Sequence, residues 1–408
     1  MTHNVVLLGS DINAYYMARC YYELFNEPVD MIAAEKIRFT EFSSIVNIQY
    51  HPDLKNEEGF VETLIEYGKA HLDKGRTLVI PCHDVYVDLL LRKANLLTSY
   101  FVFNCPSFEI ADSFLDKEKF YKKYAGGKLK FARTEYYDCS LEETAPIPVD
   151  MFYPLIIKPG DAIEYYRHPF PGQPKVFKAT TPDNAVNFIN KVKASGYKGT
   201  LLVQEFIQGD DTNLFDSIFY CNKKGKAELA TFAQIGLQEH SPSAIGNATV
   251  LINGYNQYGG TEEIIQELKE FLENLGYTGF CEFDLKYDNR DKTFKVMEIN
   301  PRQARSSYYL AALGHNLIEY LYNDVFENEE REFTLLKDEY LLTMVPKCIV
   351  RKYIFNTEYK KKALKLWRKH KKCDPLRFSK EKSVKHKLFL MFRAYRYRQK
   401  YRKFANTI

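Results

Sequence analysis

Short apolar runs alternating with helical stretches set the strongest limit on how this chain can fold. Runs at residues 4–8, 29–33, 45–49, 77–81 and 100–103 alternate with helix-like stretches at 14–25, 59–72 and 85–93. Strands joined through helices pair in parallel, because the helical crossover returns the chain to the end of the sheet where the last strand began. Ligands of such a sheet gather at the carboxyl ends of its strands. Asp11, Asn13, His83 and Asp84 fall there by position, although each residue type also caps helices or closes loops. The first strand, the Gly9-Ser10-Asp11 turn and the following helix open an α/β nucleotide-type domain. The G-x-G-x-x-G fingerprint is absent, which argues against a dinucleotide.

From about residue 112 the pattern changes. Asp116-Lys117-Glu118-Lys119-Phe120 opens a helix, and residues 153–159 form an apolar strand containing Lys158 near its end. A lysine there either snorkels to the surface or holds an anion. A second apolar strand, 200–207, runs into Gln208-Gly209-Asp210-Asp211. Such a strand can pair its backbone with an adenine edge while the acid beyond it accepts from ribose hydroxyls; taken alone it is a buried strand with a polar turn. Between the two strands, Gly160 to Glu164 and a segment with Pro169, Pro171, Gly172 and Pro174 read as a flap over a site or as an exposed loop. Helices are expected at 182–194 and 261–275. At about 150 residues per domain, 408 residues allow two or three domains, and the pattern shifts place them at 1–111, 112–335 and 336–408.

The richest local chemistry lies in Val296-Met297-Glu298-Ile299-Asn300-Pro301-Arg302. Alternation along a strand points Glu298 and Asn300 the same way. Asp288-Asn289-Arg290-Asp291-Lys292 reads as a hairpin turn that folds Asp284 back beside Glu298. Asp284, Glu298 and Asn300 would then form an oxygen-rich corner of the kind magnesium prefers, with a nucleotide's phosphates completing its shell. Arg302 is placed to clamp a transferring phosphoryl group. An ordinary solvated hairpin face has the same residue types.

Charge is unevenly spread. Residues 347–408 hold 22 Lys and Arg against three Asp and Glu, a surplus of 19, so the net +4 leaves the rest of the chain at −15. Within the tail, Leu388, Phe392 and Tyr395 recur at helical spacing, with Arg393, Arg396 and Arg398 on their flanks. A basic amphipathic helix of this kind suits an anionic membrane surface. Phosphates and bases of nucleic acid are the rival partner, and a helix packed on the acidic body is the plain alternative. The eight cysteines form no CxxC pair or Cys/His cluster, which fits a reducing cytoplasm and argues against a zinc site. The start of the chain shows no export signal, and no apolar run reaches the roughly 18 residues of a spanning helix.

Taken in order, these elements resemble the ATP-grasp superfamily. The resemblance implies that Lys117 and Lys158 hold phosphates; that Gln204, Glu205 and Ile207 form the adenine hinge, partly through backbone groups; and that Asp211 is the ribose acid. It further implies Asp284, Glu298 and Asn300 as magnesium ligands, with Mn²⁺ as a substitute, and Arg302 facing the reacting phosphate. A narrower similarity is to the D-aspartate ligases of Gram-positive bacteria. It is carried by Leu8 to Tyr15 with Met17-Ala18-Arg19, Gly209 to Asn213, Ile245-Gly246-Asn247, Tyr277 to Phe280 and Ile299 to Ser307. The long basic tail departs from that pattern.

The implied fold is α/β: an N-terminal parallel α/β domain ahead of the ATP-grasp, a two-lobed α+β ATP-grasp domain and a basic helical C-terminal extension. The implied activity is carboxylate–amine ligation. ATP phosphorylates the carboxylate of an amino acid, best matched by D-aspartate, and a lysine amine of a peptidoglycan precursor attacks the acyl phosphate. Lys158 and Arg302 would act on the transferring phosphoryl group, while Arg305, Ser306, Ser307 and Asp11 would meet the amino acid. The guanidinium fork of Arg305 suits a planar carboxylate, although a structural ion pair would use it equally well. A different donor or acceptor, a homodimer, a membrane-bound nucleotide sensor without turnover and a nucleic-acid binder remain as further expectations to separate.

Overall fold

The computed structural model describes residues 4–143, 145–174, 176–241, 244 and 246–404, with backbone alone at Ala162 and Ile163. Ile245 of the motif above, and Met1, Thr2 and His3 at the start, lie outside the described residues. The chain forms two compact units. The first comprises Met1–Ala111, Asp211–Phe283 and Asn300–Ile408; the second comprises Asp112–Asp210 and Asp284–Ile299.

The first unit opens with a parallel sheet of β1 (Val5–Leu8), β2 (Val29–Ala33), β3 (Val46–Tyr50), β4 (Thr77–Pro81) and β5 (Phe101–Val102), in the order β3-β2-β1-β4-β5. The strand order reverses at β1 and β4, and their carboxyl ends carry Gly9-Ser10-Asp11 and Cys82-His83-Asp84. Helix Ile12–Phe25 starts where it does because Asp11 Oδ1 accepts from Asn13 N at 3.0 Å and Ala14 N at 3.1 Å. It stops where Asn26 turns left-handed at φ 54°.

The second unit holds an antiparallel sheet of β6 (Thr134–Asp138), β7 (Leu155–Pro159), β8 (Phe177–Ala179) and β9 (Thr200–Glu205), ordered β6-β9-β7-β8. β9 is buried on both faces, which accounts for its continuous apolar run of Leu201, Leu202 and Val203. Helix Pro182–Ala194 begins at Thr181, whose hydroxyl accepts from Asn184 N at 3.2 Å, and stacks Phe188 on Phe177 with ring centroids 4.0 Å apart. The stretch from Gly160 to Pro174 differs from a plain loop, since helix Ala162–Arg167 lies ahead of its prolines. Asp161 caps this helix through Glu164 N at 3.0 Å. Tyr165 is buried edge-on to Tyr197 and Phe170, and its hydroxyl donates to Pro174 O at 3.0 Å.

A third sheet carries β10 (Leu214–Cys221), β11 (Ala227–Thr231), β12 (Ala233–Gln238), β13 (Ala248–Asn253), β14 (Gly279–Asp288), β15 (Thr293–Asn300), β16 (Thr334–Leu336), β17 (Tyr340–Thr343) and β18 (Lys372–Cys373). Its main path runs β15-β14-β10-β12-β13-β17-β18, with β11 on β10 and β16 on β11. Strands β10 to β13 are buried on both faces, and in β10 and β13 the sequence accordingly shows no regular alternation. Residues 336–408 belong to the first unit. Helices Lys347–Tyr353, Thr357–Arg368 and Val384–Phe404 share a core with Leu237, Val250, Ile252 and Leu341 of the sheet. Gly236 admits Tyr359 so closely that a Cβ there would stand 2.0 Å from the ring.

Candidate active site

In the second unit, a capped helix and its ties to β15 bring Lys117 to Glu298. Asp116 starts helix Lys117–Tyr124 by accepting from Glu118 N and Lys119 N, both at 3.0 Å. Tyr121 of that helix donates to Met297 O at 2.8 Å, and Val296 N donates to Lys130 O at 2.8 Å. The helix is thereby tied to β15, and Lys117 Nζ comes within 3.3 Å of Glu298 Oε2. Lys158 projects from β7 with its Nζ 5.0 Å from the centre of the Tyr121 ring. Burial, then the like charge of Lys117, push the Lys158 ammonium down to about 7, with Glu298 opposing them.

The hinge strand offers its backbone more readily than its side chains. Gln204 is buried and donates through Nε2 to Thr134 Oγ1 at 2.7 Å. Glu205 accepts from Phe152 N at 3.1 Å on one oxygen and from Arg290 Nη1 at 3.3 Å on the other. Glu205 N and Phe206 N donate to Arg133 O and Pro154 O. Ile207 lies just past β9, buried, and among the described residues its N–H makes no hydrogen bond. Phe206 beside it is flanked by Lys178 Nζ at 4.2 Å and Lys286 Nζ at 4.8 Å from its ring centre. Only tertiary packing identifies those two lysines. Asp284 lies half-buried on β14.

The first unit carries the remaining residues. Arg302 is held by Asp84, with Nε to Oδ1 at 2.6 Å and Nη2 to Oδ2 at 3.2 Å, and its Nη1 lies 3.9 Å from Glu282. Burial works to lower its pKa, but the carboxylates of Asp84, Glu282 and Asp11 outweigh burial and hold it above the ordinary value. Burial in turn raises Asp11, against the pull of Ala14 N, His83 and Arg302. Asn300 Nδ2 donates to Glu282 Oε2 at 3.1 Å, and its Oδ1 lies 3.4 Å from Arg302 Nη2. Glu282 is marked by no motif, and its signal in the sequence is its place two residues before Asp284 on one strand face.

Asp211 is already engaged, accepting from Gln238 N at 2.9 Å, Gln238 Nε2 at 2.8 Å and His240 Nε2 at 3.0 Å. Arg305 Nη2 donates to Glu239 Oε1 at 3.1 Å. Its neighbours Ser306 and Ser307 are both buried and hydrogen-bonded. Ser306 Oγ donates to the buried Asp216, and Ser307 Oγ accepts from Ala304 N at 2.8 Å.

No family model matches the chain. Among solved structures, it resembles an L-amino acid ligase from Bacillus licheniformis at TM-score 0.56 and 16% identity, covering 81% of this chain and 78% of that one. It resembles N5-carboxyaminoimidazole ribonucleotide synthetase from Thermus thermophilus at TM-score 0.57 and 12% identity, over 83% and 82%. The biotin carboxylase domain of a Hydrogenobacter thermophilus 2-oxoglutarate carboxylase, solved with MgADP, aligns at TM-score 0.57 and 14% identity, over 82% and 72%. These likenesses define the fold as ATP-grasp. In sequence, the chain is 30% identical to a D-aspartate ligase from Enterococcus faecium, over 98% of its own length and 96% of that protein's. The chain therefore belongs to the D-aspartate ligase family, and it is an ATP-dependent ligase that joins a carboxylate to an amine.

Proposed function

We propose that this ligase activates D-aspartate and couples it to the lysine side chain of a peptidoglycan precursor. The near full-length match to the Enterococcus faecium D-aspartate ligase carries this reading. A carboxylate is a poor electrophile until a phosphoryl group makes it an acyl phosphate, so the first step is attack of the carboxylate oxygen on the γ-phosphorus, breaking its bond to the β,γ-bridging oxygen and releasing ADP. The neutral lysine amine then attacks the acyl carbon, phosphate leaves, and a nearby carboxylate or the departing phosphate takes the proton that the nitrogen sheds. In this reading Lys117 and Lys158 neutralise the triphosphate, the Ile207 N–H and the hinge backbone take the adenine edge, and Asp211 accepts from the ribose. Arg302, oriented by Asp84, meets the transferring phosphoryl group, and Arg305 grips the amino-acid carboxylate, with Asp11 near the amine. Catalysis of this type is positioning and charge stabilisation.

Asp284, Glu298 and Asn300 offer only oxygen donors, as magnesium requires, and Glu298 meanwhile balances Lys117. Among the described residues no three His, Cys, Asp or Glu side chains gather into a metal site, so amide and phosphate oxygens would complete the shell. Magnesium, when bound there, would spread the developing phosphate charge. The expected result is phosphate release that requires ATP, magnesium, D-aspartate and a lysine-containing wall precursor together, with the matching mass added to the peptide. Release with another amino acid would replace the donor. Tight ATP binding without release on any pair would make the protein a nucleotide sensor.

The outward face of the C-terminal helix supports a place at the membrane. Val384, Leu388, Met391, Phe392 and Tyr395 are each more than half exposed, at helical spacing. Lys385, Lys387, Arg396, Arg398, Arg402 and Lys403 are exposed beside them. No helix among the described residues is long and apolar enough to cross a membrane, so contact would be peripheral, at about 1 kcal/mol per cation near anionic lipid. The protein should sediment with phosphatidylglycerol vesicles at low salt but not with phosphatidylcholine vesicles, and Leu388→Glu with Phe392→Glu should abolish it. Equal sedimentation of that double variant would refute the assignment.

A further inference from the structure

The inward face of the same helix reaches the residues that hold Arg305 and Asp211. Segment 238–240 continues β12; Gln238 and His240 bind Asp211, and Glu239 between them binds Arg305. Glu239 is almost fully buried. It accepts from the Tyr397 hydroxyl and from Lys400 Nζ at 3.3 Å, besides Arg305 Nη2. Arg393 Nη2 donates to Tyr397 Oη at 2.7 Å and its Nη1 to Met344 O at 3.2 Å, which fixes the tyrosine from behind. Tyr401 completes the attachment by donating to Gln238 O at 2.7 Å.

The electrostatics keep this arrangement in one state near neutral pH. Burial works against the charged Glu239, but Arg305, Tyr397 and Lys400 outweigh it and hold the carboxyl below its usual range. Burial pushes the Tyr397 hydroxyl up to about 12, so it remains a donor. Glu239 therefore stays a charged acceptor shared by three donors, two of them from the C-terminal helix. Removing either helix donor leaves Arg305 to share its carboxylate with fewer partners, and the guanidinium can then collapse onto Glu239. Arg305 Nε is buried and has no hydrogen-bond partner among the described residues, so one donor of the fork remains unspent.

We propose that Tyr397 and Lys400 are positioning residues: acting through Glu239, they aim Arg305 at the carboxylate of the amino-acid substrate. This rests on the reading of Arg305 as the amino-acid ligand. The basic C-terminal helix is in this way a working wall of the donor subsite, and its positive charge has a use beyond any surface it meets.

The test is steady-state kinetics of the full chain carrying Lys400→Met or Tyr397→Phe, with D-aspartate and ATP varied in turn. Each variant should raise KM for the donor about tenfold, since a charged hydrogen bond is lost, while KM for ATP and the thermal unfolding midpoint stay near wild type. Lys400→Arg, which keeps the charge, should restore most of the donor KM. Folded variants with unchanged donor KM would overturn the proposal, as would equal rises in both KM values. Arg305→Ala separates the two readings. An unchanged donor KM in that variant removes Arg305 from the substrate, and the proposal with it. A raised donor KM there, with wild-type kinetics in Lys400→Met and Tyr397→Phe, overturns the positioning role alone.

Discussion

Glu298→Gln should lower the rate of phosphate release by about 10²–10³-fold, the usual cost of removing one electrostatic stabiliser of a transferring group. Gln keeps the shape and one oxygen of Glu298 but loses the charge that a hard cation needs from its carboxylates. The fold should survive, because the Glu298 side chain is 40% exposed and its 3.3 Å pair with Lys117 is a partly solvated one, a type worth about 0–1 kcal/mol. Two readouts check this: the initial rate at saturating ATP, and the magnesium concentration needed for half the maximal rate, which should rise. A wild-type rate in a correctly folded Glu298→Gln protein would remove Glu298 from the metal set, and with it the reading of the hairpin as the phosphate end of the site.

Lys158 should give the second large effect, and it should show in pH as well as in rate. Burial and the neighbouring Lys117 depress its ammonium to about 7 in the free protein, while the phosphate-binding form is the charged one. As pH rises through 7 the unliganded lysine becomes neutral, so ATP must bring a proton with it to restore the ammonium. ATP affinity should therefore fall above pH 7, by up to about tenfold per pH unit. Calorimetry in buffers of different ionisation enthalpy should find uptake approaching one proton per ATP near about pH 8. Lys158→Arg should bind ATP with little pH dependence, because a guanidinium stays charged, whereas Lys158→Met should lose about 10²-fold in kcat/KM for ATP. Binding without proton uptake would show that the lysine is already charged, and the crowding of the two lysines would then be irrelevant to binding.

Much of this architecture can be read along the chain. Apolar runs separated by helical stretches announced the five-stranded parallel sheet, and Asp11 and Asp116 mark helix starts that the structure retains. The turn at Asp288 to Lys292 joins β14 to β15 as its residue types suggested. By contrast, the helix Ala162–Arg167, just ahead of the prolines at 169, 171 and 174, was hidden, because its stability comes from Tyr165 packed on Tyr197 and Phe170 and not from periodicity. The buried strands β10 and β13 were hidden for the opposite reason, since a strand enclosed on both faces has no polar side to alternate with.

The candidate site divides along the same line. Lys117 and the hinge are marked by the family resemblance, while Lys158, the apolar strand ahead of Asp211 and the Glu298-Ile299-Asn300 run stand out by residue type and spacing. Their partners do not: Asp84 meets Arg302 across 218 positions of sequence, and Tyr397 meets Glu239 across 158. The tail's surplus of 19 positive charges is plain in the sequence, but which face of its helix turns inward is decided by the core that receives Tyr397 and Tyr401. Caps, turns and periodicity act between residues a few positions apart, so the sequence by itself determines where strands and helices begin and which residues share a face. Pairing a charge with a distant partner depends on how whole elements pack, and only the tertiary structure decided that Asp84 would hold Arg302 and that the C-terminal helix would hold Glu239.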